Sequence, residues 1–137
     1  MALTRYLLDT GIASDLINQR NGVLEKAVSL RSQGHVIGLG MPVVAELAHG
    51  IEASASREKN RELFLKALAA LRVWPFDLKA ALEYGRIRAE LTRIGRPIQA
   101  MDIQIAAIAL TLGDCVLVTK DSDFGFIPGL VYENWLI

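Results

Sequence analysis

Short apolar runs alternate with helical stretches along the whole of this chain, and no hairpin turn joins one run to the next. The runs are Tyr6-Leu7-Leu8, Val36-Ile37-Gly38-Leu39, Val73-Trp74-Pro75-Phe76, Val116-Leu117-Val118 and the weaker Leu130-Val131-Tyr132. Strands spaced this way need crossover connections, which specify a parallel sheet covered on both faces. The expected class is therefore α/β, a three-layer α/β/α sandwich around a short parallel sheet. At 137 residues, one domain spanning 1–137 is expected.

Between the runs the helices are marked locally. Ile12, Ala13, Leu16 and Ile17 make an apolar stripe, Asn21-Gly22 a turn, and Val23 to Arg31 a second helix closed near Gly34. Pro42 suits the first turn of a helix carrying Val43, Val44, Leu47 and Ala48 inward. Glu52 to Arg61 is polar, the exposed start of a helix or a break between two, before a stripe at Leu63, Phe64, Ala67, Leu68 and Leu71. Asp77 caps a long helix with Ala80, Ala81, Tyr84, Ile87, Ala89 and Leu91 as its buried positions, closed by Gly95 and Pro97. Asp102 opens the next helix, which Gly113 ends; Gly125 and Pro128-Gly129 make turns.

Charge decides what the surface can be for. Lys and Arg total 15, as do Asp and Glu, so the formal net charge is zero, which argues against a protein that coats DNA nonspecifically. Arg57, Lys59, Arg61 and Lys66 read as a solvated face and as the one basic cluster able to track a phosphate backbone. A single cysteine, Cys115, excludes an intrachain disulfide and a cysteine-rich zinc site, and reads as a small buried hydrophobe. No stretch is long enough to span a membrane, and the opening apolar run breaks at Asp9 too early for a signal peptide, so a cytoplasmic protein is expected.

Acidic residues fall where chemistry is done in such folds. Ligands bind beyond the carboxyl ends of parallel strands. Asp9 follows the first strand and Asp121 and Asp123 follow the fourth, which puts both groups on one rim. Asp102, at a helix start, can face that rim, and Glu46 can reach it from the helix after the second strand. Glu46 lies within an otherwise apolar window; a buried unpaired carboxylate is costly, so it is expected to face a cleft, a base or a metal. Converging carboxylates repel unless a cation neutralises them, and an all-oxygen donor set suits Mg²⁺ or Mn²⁺. Hydrolysis of a phosphodiester is the chemistry that follows. Taken singly, Asp9, Asp102, Asp121 and Asp123 also read as helix caps or turn residues.

Four motifs, Leu7-Leu-Asp-Thr-Gly11, Val43-Val-Ala-Glu-Leu47, Met101-Asp-Ile-Gln-Ile-Ala-Ala107 and Leu117-Val-Thr-Lys-Asp-Ser-Asp-Phe124, resemble those of the PIN-domain ribonucleases. The likeness is greatest to the small VapC-like and FitB-like toxins of bacterial toxin–antitoxin pairs, whose ending Pro128-Gly-Leu-Val-Tyr-Glu-Asn-Trp135 also matches. The resemblance implies a metal-dependent endoribonuclease in which Asp9, Glu46, Asp102 and Asp121 are catalytic and, with Asp123, hold Mg²⁺ or Mn²⁺. Thr10 and Thr119 are implied as supporting hydroxyls. It further implies an RNA substrate, a homodimer with contacts expected on the apolar helices of 12–30 and 57–71, and an antitoxin bound along a groove, through which alone DNA is contacted. The family commonly has Asn where this chain has Gly11, which predicts a looser first motif.

Other readings are less well supported by the residues. A haloacid-dehalogenase phosphatase needs Asp-x-Asp after its first strand, and the second position here is Gly11. No Gly-rich phosphate loop follows any strand. His35 and His49 are too few and too isolated for a histidine-centred hydrolase. The remaining alternative is a weakly active or inactive PIN-like interaction module whose acidic cleft takes a basic residue from a partner.

Overall fold

A computed structural model of the chain describes residues 2–136. Its centre is a five-stranded sheet, entirely parallel, in the order β3-β2-β1-β4-β5. The strands are β1 (Arg5–Leu8), β2 (Val36–Gly40), β3 (Arg72–Trp74), β4 (Cys115–Val118) and β5 (Tyr132–Glu133). Helices α1 (Thr10–Ile17) and α2 (Val23–Ser32) link β1 to β2, α3 (Met41–Glu52) and α4 (Arg57–Ala70) link β2 to β3, and α5 (Leu78–Arg93) and α6 (Ala100–Leu112) link β3 to β4. The first two crossovers step one way along the sheet and the third steps back over it. Right-handed crossovers therefore put α1 to α4 on one face and α5 and α6 on the other, the three-layer sandwich expected from the sequence.

Burial explains why the central elements read so plainly. Leu7 and Leu8 of β1, Leu39 of β2, and Leu117 and Val118 of β4 are fully enclosed, as strands covered on both faces must be. Helix α6 buries Ile103 and every residue from Ile105 to Ala109, so it is apolar all round and lies in the core with only its ends free. Its first turn, three residues earlier than expected, is headed by Gln99 and carries Asp102 inside it. Asp77 caps α5, its Oδ1 accepting the Ala80 N–H at 3.0 Å. That helix buries Ala80, Ile87 and Leu91, while Ala81 and Ala89 face solvent. Of the expected inner positions of α3, Val43 is buried and Ala48 exposed. The polar stretch before Arg57 is a break between α3 and α4, and Arg57 and Arg61 fold back to pair with Glu52. Among the described residues no helix is long and apolar enough to cross a membrane.

Candidate active site

The order in which the chain lays down strands reverses between β1 and β4, and the acids collect there, beyond the carboxyl ends of those two strands. The Asp9 N–H donates to the Val118 carbonyl at 3.0 Å, so Asp9 and Thr119 leave the sheet side by side. Asp9 caps α1, its Oδ1 accepting the Ile12 N–H at 3.0 Å. Only one of its two carboxylate oxygens is named in that bond, which leaves Oδ2 for other work. Asp121 repeats the device: its Oδ1 accepts the Asp123 N–H at 2.9 Å and opens a 3-10 turn over Ser122–Phe126. Its own N–H donates to Oγ1 of Thr119, at 3.0 Å, and Thr119 is buried. Thr119 thus holds the backbone of the Asp121 loop.

Asp102 enters the group from the first turn of α6. Burial pushes its carboxyl pKa above the ordinary aspartate value, and the negative charges of Asp121, Asp9 and Asp123 push it further the same way. Asp121, Asp9 and Asp123 are therefore within electrostatic reach of Asp102. Glu46 stands apart from these four. It is exposed, not buried as the apolar window predicted, because Val43, Val44 and Leu47 share the inward stripe of α3 and position 46 falls off it. Its side chain lines a cavity of about 410 Å³ with Thr10 and Gly11, beside Asp9. It does face a cleft, as expected.

Sequence reasoning missed part of this cavity. Ser14, Asn18 and Asn60 also line it. Thr10, Ser14 and Asn18 recur at four-residue spacing on α1, a polar stripe in line with Asp9, and that period was the available signal. At Gly11, an added Cβ would sit 3.9 Å from Oδ1 of Asp9, an ordinary contact. The backbone here accepts a side chain, so nothing in the packing demands glycine at this position.

The fit to a hard cation is chemical first. All the donors are carboxylate or hydroxyl oxygens, as Mg²⁺ and Mn²⁺ prefer. The Oγ1 of Thr10 is buried and has no hydrogen-bond partner within the protein, the state of a group awaiting one. Among the described residues no three His, Cys, Asp or Glu side chains stand close enough to ligate one ion together. The acids ring the rim rather than close on a point. His35 and His49 lie away from them: Nδ1 of His35 accepts the Thr4 N–H at 3.1 Å on β1's other end, and His49 is on the exposed last turn of α3.

Residues 6–129 match the sequence profile of the PIN domain. The chain is 30% identical over 130 residues to the Ribonuclease VapC2 of Rickettsia felis, covering 95% of this chain and 97% of that one. It is 29% identical over 133 residues to the tRNA(fMet)-specific endonuclease VapC of Shigella flexneri, covering 97% and 99%. Its fold superimposes on the crystal structure of VapBC2 from Rickettsia felis bound to a DNA fragment from its promoter, with a TM-score of 0.88, 30% identity, and 96% and 99% of the two chains covered.

Proposed function

This chain belongs to the PIN-domain family, and from that premise we propose that it is an endoribonuclease acting as the toxin half of a toxin–antitoxin pair. The observation that carries the site assignment is the upward push on Asp102 by burial and by the charges of Asp121, Asp9 and Asp123. Three segments far apart in sequence bring like charges together at a strand switch point, which costs stability, and the capping bonds of Asp9 and Asp121 do not require that convergence. Asp9, Glu46, Asp102, Asp121 and Asp123 are the residues that would hold Mg²⁺ or Mn²⁺. Such an ion, when bound, supplies Lewis-acid polarisation of a phosphoryl oxygen and a more acidic water.

The chain's own residues account for positioning. The Ile12 and Asp123 N–H groups each hold one oxygen of Asp9 and Asp121, fixing both side chains without consuming both oxygens. Thr119, bonded to the Asp121 N–H, keeps the β4 loop folded beside β1. Asp102 retains its proton at higher pH than a solvated aspartate, so in the metal-free protein it is the carboxyl best placed to carry one. Glu46 approaches from the opposite wall, across the cavity in which an RNA backbone would lie.

The antitoxin reading is supported by the VapBC complex that this fold matches so closely. DNA contact then belongs to the antitoxin. A homodimer is also proposed. The helices of 12–30 and 57–71 offer Val28 and Leu65 to it, and α5 offers Leu78 and Leu82, 74% and 69% exposed and the most open large apolar side chains described.

The deciding test compares wild type with Asp9→Asn and Glu46→Gln on total RNA, with and without Mn²⁺. Wild type is expected to cleave only with the ion, and both variants to lose at least a hundredfold in rate while keeping their far-UV spectra. Equal cleavage by all three proteins, with contaminating nuclease excluded, sinks the assignment. Absence of both Mn²⁺ uptake and cleavage in wild type favours the interaction-module alternative.

A further inference from the structure

A groove crosses the α1–α4 face from the acidic rim to the opposite pole, and its two ends carry opposite charge. The cavity holding Glu46 shares Ile17 and Leu63 with a second, apolar one of about 230 Å³. That one shares Arg31, Ile37, Ala70 and Leu71 with a third of about 240 Å³, which His35 and Arg72 complete. The three therefore form one continuous trough along α4. From Asn60 to Ala70 it runs about 15 Å at the rise of an α-helix.

The far end is built to receive an anion. Arg31 closes α2, Arg72 opens β3, and His35 precedes β2, so the fold alone brings two arginines distant in sequence together beside an imidazole. Among the described residues neither arginine has a carboxylate within ion-pair distance, unlike Arg20, Arg57, Arg61, Arg86 and Arg93. Because Nδ1 of His35 accepts the Thr4 N–H, its ring proton sits on Nε2, and Tyr6 packs edge-on against the ring at 5.8 Å between centroids. The imidazole is held, with a donor left over.

Resting on the toxin–antitoxin reading above, we propose that Arg31, Arg72 and His35 clamp a carboxylate of the inhibitory partner and so fix which way that partner lies in the groove. The occupant is a protein segment with a basic side chain toward Glu46, about three helical turns of apolar stripe over Leu24, Val28 and Ala67, and an acidic side chain at the arginines. RNA fits this trough poorly, since phosphates laid along its middle would lose hydration over Leu24, Val28 and Ala67 with Lys66 alone in return. Charge at the two ends then discriminates against a segment laid in reverse.

The test uses the full chain with the protein encoded by the reading frame adjacent to its own. Affinity is measured at physiological salt for wild type, Arg31→Glu/Arg72→Glu and the milder Arg31→Gln/Arg72→Gln. The reversal is expected to weaken partner binding about tenfold or more. One Glu→Lys or Asp→Lys change in the partner's toxin-binding segment should restore it, a rescue that general destabilisation does not give. Free reversal variant should cleave RNA as wild type does; if it fails to fold, the glutamine variant decides. Partner affinity within twofold of wild type in the folded variant overturns the proposal. So does loss of RNA affinity with partner binding intact, which would make the pole an RNA contact. If wild type cleaves RNA but its neighbour's product does not bind, the clamp and the antitoxin reading fall while the ribonuclease reading stands.

Discussion

Asp9 and Asp121 each admitted two readings from sequence, a cap or a ligand; the structure shows the caps, and they leave room for the second role. Each uses one carboxylate oxygen to cap and keeps the second. Asp102 carries the cost of this arrangement. Its folded pKa is raised, so the native state holds a proton more tightly than the unfolded chain does. Stability is therefore lowest above the raised value and recovers as pH falls through it toward the ordinary 3.8. Asp102→Asn should accordingly raise the melting temperature of metal-free protein at pH 7 by a few degrees, even after losing a favourable charge at a helix start. The gain should shrink as pH approaches 4; a loss of stability at pH 7 would show that the neighbouring acids do not repel it. Cys115 is the opposite case, a residue whose chemistry is suppressed. Burial pushes its thiol up to about 12, which at pH 8 leaves on the order of one thiolate in ten thousand. Alkylation of the native protein by iodoacetamide should be slower than that of unfolded protein by roughly a thousandfold. Glu46 was legible as facing a cleft but not in its exposure, since a short apolar motif hides the hundred-degree step that turns position 46 outward.

At the scale of elements, the strands were legible because they are buried on both faces, and β3 because Pro75 ends it so soon. What sequence misplaced was helix onset. The spacing put the start of α6 at Asp102, an acid before an apolar run, whereas Gln99 heads the helix and Asp102 sits in its first turn. Gly38 shows a constraint that periodicity cannot express. In β2 an added Cβ would meet the Arg72 carbonyl oxygen at 2.5 Å and the Trp74 ring at 2.7 Å. The contact is with backbone, so it cannot be relieved by a rotamer change, and β3 would have to shift. Gly38→Ala is expected to cost about 2 kcal/mol, within the range for overpacked cores, read as a lower urea midpoint with unchanged slope. A neutral result would mean that β3 moves freely, and with it the arginine at its start.

For the whole molecule, the zero net charge was misleading. It conceals one pole carrying Asp9, Asp102, Asp121 and Asp123 and another carrying Arg31 and Arg72, and these poles exist only because the strand order is β3-β2-β1-β4-β5. Alternating runs predict a parallel sheet but not its order, so the acidic rim could be anticipated from strand ends while the basic pole could not. Arg31 and Arg72 are separated in sequence by the whole of β2, α3 and α4, and no local window contains both. The acidic pole makes a prediction that does not depend on RNA. A cation that binds the folded rim and not the unfolded chain must stabilise the fold by mass action, by about 2.7 kcal/mol at a hundredfold excess over its dissociation constant. For a chain of this length that corresponds to a rise on the order of 10 °C in melting temperature. Mn²⁺ at millimolar concentration should produce such a rise in wild type, chelation should reverse it, and Asp9→Asn should remove most of it, because one wall of the rim would lose its charge. A flat melting temperature across a Mn²⁺ titration would mean that the four carboxylates meet their repulsion some other way, and that a basic side chain from the partner, not a metal, is their counter-charge.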